Sequence, residues 1–381
     1  MLVVDPALDP ALEPPFGSYA AVSATGQRLL AVELSRRLGA LGATVLPLAP
    51  VPPPAGERFH WGRWFSAAAR DALAQAAGAG RSVDAIGYAG AGSMALVGEV
   101  ALESLLSPIA GEVVANNRYS ADAFAVAGDL DAAIAALATC PTDNTAARCL
   151  EAAGFRTRDL GEVPWSRFDV DTPLDLALLR LGLRLPRARR PESAVTSFLD
   201  MASLPGGGPL EIPRLGEISA VLVDREAQLV AAGRIPSSAW SYLEKESACR
   251  VRCFIEERGM RSARDAAPRS LLADWARRLG PADLITELAS LGDAVILDTR
   301  VLMATFAGSP DAGQWPSAEE RFASDFLAVG RITTPWLAEL TSAAGASRVP
   351  VLLGGHALVS DGLRILVDRA WQGGPPPAQG C

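Results

Sequence analysis

Apolar residues in the first 185 positions fall into short runs separated by longer amphipathic stretches. Leu2–Val4, Thr44–Leu48, Asp84–Tyr88, Glu112–Ala115 and Phe124–Ala127 are compact and mostly apolar, which predicts strands covered on both faces. Between them the period lengthens. Leu29, Leu30, Leu34, Leu38 and Leu41 recur at helical spacing until Gly42. Residues 61–79, 130–138 and 145–153 read as further helices, the last ended by Gly154. Phe168–Asp171 predicts one more strand end, with a helix over 173–183 after it. Strand and helix alternate through short connections, which predicts an α/β domain of three layers: a mostly parallel sheet with helices on both faces.

The pattern changes after Leu183. Arg184, Arg187, Arg189 and Arg190 stand among prolines, and three glycines lie between Pro205 and Pro209. The expectation is a domain over 1–185, a linker over 186–212 and a second domain over 213–372. Helical periodicity dominates that second part, at 218–232, 237–247, 270–279, 281–291, 318–326 and 336–343. A buried apolar run at 349–353 breaks at Gly354-Gly355-His356, and a terminal helix follows. The second domain is therefore expected to be mainly helical, of unknown role. Residues 373–381, rich in glycine and proline, read as a disordered tail. No internal repeat is visible.

Composition narrows the classes. Hydrophobic residues make up 49% of the 381 positions and charged residues 20%, enough apolar material for a sizeable core. The net charge of -8 argues against nucleic acid as a partner, since phosphate neutralisation needs a basic surface. Lys245 is the only lysine, so none in the first half can hold a phosphate. Five cysteines with irregular spacing and two histidines do not make a four-ligand zinc site; free thiols in a cytoplasmic protein are expected. Met1–Asp5 has no signal-peptide signature, and no apolar run reaches membrane-spanning length, so neither export nor a membrane partner is expected.

The chemistry centres on Phe168-Asp169-Val170-Asp171-Thr172-Pro173-Leu174-Asp175-Leu176. Alternate residues of an extended segment share a face, so Phe168 and Val170 should be buried while Asp169 and Asp171 point the other way together. Two carboxylates at the carboxyl end of a strand can hold Mg²⁺, and that edge is where open α/β sheets bind ligands. A local reading covers the rest: Thr172 caps the next helix, Pro173 suits its first position and Asp175 its positive end.

The segment resembles the DxDTPxDL stretch of nucleotidyltransferases of the phospholactate guanylyltransferase and molybdenum-cofactor cytidylyltransferase type. The resemblance implies a GT-A-like fold for the first half, Mg²⁺ held by Asp169 and Asp171, and transfer of a nucleoside monophosphate from a triphosphate onto a phosphorylated small-molecule acceptor. Asn116, Asn117 and Arg118 stand where the family has a substrate-side loop, with Asp122 close behind and Asp143-Asn144 also well placed. The sequence departs from the family in two places. The prolines after Val4 replace a glycine-rich, lysine-bearing cradle, and Tyr88–Gly92 lacks the acid that would bind metal there.

Gly90, Gly92 and Ser93 follow a strand and can present backbone N–H groups to a phosphate or form a tight turn. Arg118 reads as an anion contact or a surface residue. Asp298 and Arg300 interrupt an apolar stretch, as a buried ion pair or a ligand site would. Three functions follow as expectations: an Mg²⁺-dependent nucleotidyltransferase; a catalytically degenerate domain that binds a nucleotide or a protein as a scaffold; and a sugar-nucleotide-dependent glycosyltransferase. The helical domain leaves a homodimer or a protein partner open.

Overall fold

The computed structural model describes residues 2–5, 17–47, 59–186, 189–257 and 267–373. In chain order the first half contains β1 (Leu2–Asp5), α1 (Tyr19–Ala40), β2 (Thr44–Pro47), α2 (Trp61–Gly78), β3 (Ala85–Ala89), α3 (Glu99–Leu105), β4 (Glu112–Ala115), β5 (Ala123–Ala127), α4 (Leu130–Leu137), α5 (Ala146–Ala152), β6 (Arg156–Asp159) and α6 (Pro173–Gly182). The second half contains α7 (Ser193–Met201), α8 (Leu215–Leu222), β7 (Gln228–Gly233), α9 (Ser237–Glu246), β8 (Arg250–Ile255), α10 (Leu271–Leu279), α11 (Pro281–Ser290), β9 (Ala294–Asp298), α12 (Thr299–Ala307), α13 (Ala318–Asp325), α14 (Pro335–Ala346), β10 (Val351–Gly354), α15 (His356–Val359) and α16 (Asp361–Gln372). The chain divides into two compact units. Met1–Pro14, Ala24–Asp171 and Arg187–Phe198 form the first, and Pro15–Ser23, Thr172–Pro186 and Leu199–Cys381 the second.

The first unit is built on a six-stranded sheet of order β2-β1-β3-β5-β4-β6. β5 runs antiparallel to both neighbours; the other pairings are parallel. Alternation sorts the side chains onto two faces. Ile86, Tyr88, Val113, Ala115, Phe124 and Val126 pack with α2, α4 and α5. Ala89, Val114 and Ala123 pack with α1 and α3. β3, β4 and β5 are buried throughout, which is why their sequences read as continuous apolar runs rather than as alternation. β6 is an edge strand and carries the charged Arg156, Arg158 and Asp159, which discourages further pairing.

Two expectations are corrected here. Phe168–Asp171 is not a strand: Val170 N–H donates to the Gly92 carbonyl at 3.2 Å, and the Phe168 N–H closes a turn onto Trp165 O. The neighbour is a turn rather than a strand, so no ladder forms. The alternation itself holds, with Phe168 and Val170 fully buried and Asp171 exposed. The second correction concerns the helical domain. The second unit contains a four-stranded, all-parallel sheet of order β10-β9-β7-β8. The helix expected over 218–232 ends at Leu222, and the chain re-enters as β7, with Leu229–Ala232 fully buried. A short apolar run fits a buried strand as well as a helix, so periodicity alone does not separate them.

Within the stretch read as a linker lie α7 and a buried bidentate ion pair, Arg189 to Glu33 at 2.6 and 2.7 Å, inside the first unit. The tail expected over 373–381 lies, beyond Gly373, outside the described residues, as do the proline-rich stretches at 6–16 and 48–58. Among the described residues no helix is long and apolar enough to cross a membrane.

Candidate functional site

The carboxyl end of β3 leads into the turn Gly90–Ser93, which is stitched on two sides. Gly90 N–H donates to the Asp122 carbonyl at 2.8 Å, just ahead of β5. Gly92 O accepts from Val170. A methyl group on Gly92 would stand 2.8 Å from Asp169 Oδ1 and nearer still to Val170 O, so only glycine allows this approach. Ser93 closes the turn, its N–H and its hydroxyl both donating to Gly90 O at 3.1 and 2.8 Å.

Asn116 fastens the next segment. Its Oδ1 accepts from Ala123 N–H at 3.0 Å, and its Nδ2 donates to Ser166 O at 3.1 Å and reaches Asp122 Oδ2 at 3.5 Å. Ser166 is fully buried, and its hydroxyl has no partner among the described residues. Asn117 folds back locally, accepting from Tyr119 N–H at 3.1 Å, and Ser120 donates to Asn144.

These contacts place Asp122 and Asp169 against the Gly90–Ser93 turn. Burial pushes the Asp122 carboxyl up to about 8, and the negative charges of Asp143 and Asp171 add to the effect, while Asn116 opposes it. The Tyr88 hydroxyl is pushed well above its ordinary value, first by burial and then by Asp143, Asp122 and Asp169. Asp143 and Asp171 thus act on Asp122, and Asp143, Asp122 and Asp169 act on Tyr88 at the carboxyl end of β3. Asp169 and Asp171 were legible as a pair. Asp122 and Asp143 stood out only beside the Asn116–Arg118 loop and through the resemblance, and Tyr88 only as the start of the turn; how they act on one another is hidden by their separation along the chain. The available signal was the burial-prone Ala121–Ala127 run, which carries a carboxylate at its start.

The remaining sequence candidates have internal partners. Gly90 and Ser93 N–H groups are engaged in the turn. Asn116 and Asn117 pin their own loop. Arg118 pairs with Glu151 at 2.7 Å on the surface. Among the described residues no three carboxylate, imidazole or thiolate groups are arranged to hold a metal. The donor set is nonetheless one of hard oxygens, suited to Mg²⁺, which keeps several waters and needs only one or two protein carboxylates beside substrate phosphates. Cys140, Cys149, Cys249 and Cys253 are free thiols. Burial, aided by Cys149, pushes Cys140 up to about 12, and burial pushes Cys253 to about 11, so neither is a ready thiolate nucleophile.

The second unit has its own charged centre. β7 lies between β8 and β9, so the winding direction reverses there, and Arg234 and Asp298 meet at that point. Asp298 caps α12 through Arg300 N–H at 3.1 Å, while the Arg300 guanidinium turns away to Asp325 at 2.6 and 2.7 Å. The pairing expected between Asp298 and Arg300 is thus replaced by two pairs, Asp298–Arg234 and Arg300–Asp325. A side chain one residue into the helix points away from the capping carboxylate. His60 caps α2 through Arg63 N–H at 3.3 Å, and His356 opens α15 with its charge acting on Asp298.

Comparison of the chain with models of known families, with curated proteins and with solved structures returns no match.

Proposed function

We propose that the carboxyl edge of the first unit's sheet binds a nucleoside triphosphate with Mg²⁺ and transfers its nucleoside monophosphate to a phosphorylated small molecule. The observation that carries this reading is that Asp143 and Asp171 both act on the buried Asp122, while Asp169 Oδ1 stands close against Gly92. Crowded carboxylates repel one another unless a cation or a proton intervenes. Asp122 also answers the departure found in the sequence. Tyr88–Gly92 carries no acid, yet Asp122 lies directly against Gly90 from the neighbouring segment, through the 2.8 Å backbone bond.

In the proposed reaction an acceptor phosphate oxygen attacks the α-phosphorus, a new P–O bond forms, and the bond to the β-phosphate oxygen breaks to release pyrophosphate. Asp169 and Asp171 would hold the cation, which supplies neutralisation of the phosphate charge. Asp122 in its protonated form donates a hydrogen bond toward a phosphate oxygen, and Asn116 keeps it in place.

A second reading is a nucleotide-binding or protein-binding scaffold without turnover. It is favoured by the engagement of Ser93, Asn116 and Arg118 in internal bonds and by the absence of lysine from the first half. Calorimetry with the four common ribonucleoside triphosphates, with and without Mg²⁺, tests nucleotide binding. A pyrophosphate-release assay with small phosphorylated acceptors then separates the two readings. Metal-dependent binding with pyrophosphate release supports transfer, metal-independent binding without release supports the scaffold, and no binding removes both nucleotide readings.

A further inference from the structure

A cleft of about 660 Å³ opens in the second unit and is within the volume range of small-molecule sites. Its walls are aromatic and fixed before any ligand arrives. Phe306 and Trp336 meet edge to face with centroids 4.6 Å apart. Trp315 is held by its indole N–H donating to Ser309 O at 2.9 Å, and Arg321 lies over its ring at 5.9 Å. Met303 is buried beneath. The three rings are only partly buried, so their remaining surface faces the opening.

One charged side chain lines this cleft among the described residues: Arg277. Its guanidinium lies 5.1 Å from the Phe306 ring centroid. Nη2 donates to Thr305 O at 2.7 Å, and Nη1 to the exposed Asp274 at 3.0 Å. These bonds engage two of the five N–H groups a guanidinium carries. Asp274 is solvated and screens Arg277 only weakly. Gln314 adds an uncharged polar group at the rim. A rigid aromatic slot with a single cation in its wall is complementary to a flat ring bearing a negative charge, which stacks on the rings while its carboxylate takes the guanidinium.

We infer that this cleft is a binding site for a planar aromatic carboxylate of one or two fused rings. The inference is independent of nucleotidyl transfer, since it uses no residue of the first unit.

The test uses the full chain and 2-naphthoate as probe, with binding read by calorimetry and ligand-detected NMR. The neutral 2-naphthalenemethanol and the non-aromatic cyclohexanecarboxylate serve as comparators. Saturable naphthoate binding is expected, stronger than that of either comparator. Arg277→Gln, at an exposed position, should fold normally and weaken naphthoate by about tenfold or more while leaving the alcohol unchanged, as loss of a charged hydrogen bond would do. Trp336→Ala should weaken both aromatic probes. Absence of saturable binding, or equal naphthoate affinity in Arg277→Gln, overturns the proposal. It is also overturned if a synthetic peptide of residues 373–381, whose three prolines suit an aromatic groove, displaces naphthoate and binds more tightly.

Discussion

Asp298 and Arg234 form a side-on ion pair in the second unit, Nε to Oδ2 at 2.6 Å and Nη2 to Oδ1 at 3.1 Å, with Asp298 wholly out of solvent. Burial opposes ionisation of this carboxyl, but the Arg234 guanidinium outweighs it, helped by His356 and Arg300, and the group is held below its usual range. Gly233, at φ +128°, allows the loop after β7 to lie directly on Asp298; a side chain there would collide with its Cβ.

Removing Asp298 strands Arg234 and also uncaps α12. Asp298→Ala should therefore lower the stability of the second unit by about 3–5 kcal/mol, read from urea unfolding followed by circular dichroism. A loss below about 1 kcal/mol, the range of a solvated pair, would mean the pair adds little beyond the cap. The acid side has a definite sign: because the folded pKa is depressed, this contribution is present above about pH 4 and is lost as pH falls through the lower folded value.

Asp122 has the opposite sign. Its folded carboxyl titrates at about 8, against about 3.9 when unfolded. Between these values the folded state holds the extra proton. The contribution is complete below about pH 4 and is lost as pH rises through about 8. Asp122→Asn mimics the protonated form and can still accept from Asn116. It should flatten the fall in unfolding midpoint between about pH 4 and 8 and raise stability at about pH 9, with little change below about pH 4. Parallel pH profiles for the two proteins would show that Asp122 is ionised throughout.

Much of the first unit was legible because its central strands are covered on both faces and its helices carry clear stop signals at Gly42 and Gly154. The cap at Thr172 was readable: Thr172 accepts from Asp175 N–H at 3.2 Å, and the structure adds the reciprocal bond, Asp175 accepting from Thr172 N–H at 2.9 Å. What failed depended on partners distant in sequence. Phe168–Asp171 has a strand's alternation but lies against a turn. Leu229–Ala232 has no periodicity that separates strand from helix, and its parallel neighbours lie 20 to 65 residues away. Among the carboxylates of the site, Asp169 and Asp171 were visible as a pair and Asp122 and Asp143 singly. Their mutual effect depends on β5 running back beside β3, which no local pattern encodes.

Gly92 gives a way to disturb the site through its backbone support alone. Gly92→Ala places a methyl group 2.8 Å from Asp169 Oδ1 and 2.9 Å from Val170 N. These atoms are backbone or locally bonded, since Asp169 Oδ1 accepts from Val170 N–H at 3.0 Å, so they have little room to yield. The expected result is a loss of about 1–3 kcal/mol from overpacking together with weaker nucleotide binding. Gly98→Ala, where an added methyl group meets nothing within 4 Å, should leave both unchanged. Thermal unfolding and calorimetry on the two variants would settle whether the turn holds Asp169 in place.

Asp169 and Asp171 differ in what else they do, and that difference separates metal binding from folding. Asp169 accepts from Val170 N–H at 3.0 Å and does not cap the following helix, whose cap is Thr172. Asp171 is exposed and precedes the Thr172 cap. If the pair holds Mg²⁺ with the nucleotide phosphates, the bare protein should bind the cation weakly, and nucleotide should strengthen it. Asp169→Asn should remove that nucleotide-dependent gain at nearly unchanged stability. Asp171→Asn should do the same and, by reducing the negative charge around Asp122, lower the Asp122 pKa as well. The second effect can be read without any nucleotide, as a shift toward lower pH in the titration of Asp122 followed by carbon NMR. A shift without loss of metal-dependent binding would retain the electrostatic cluster and remove Asp171 from the cation site.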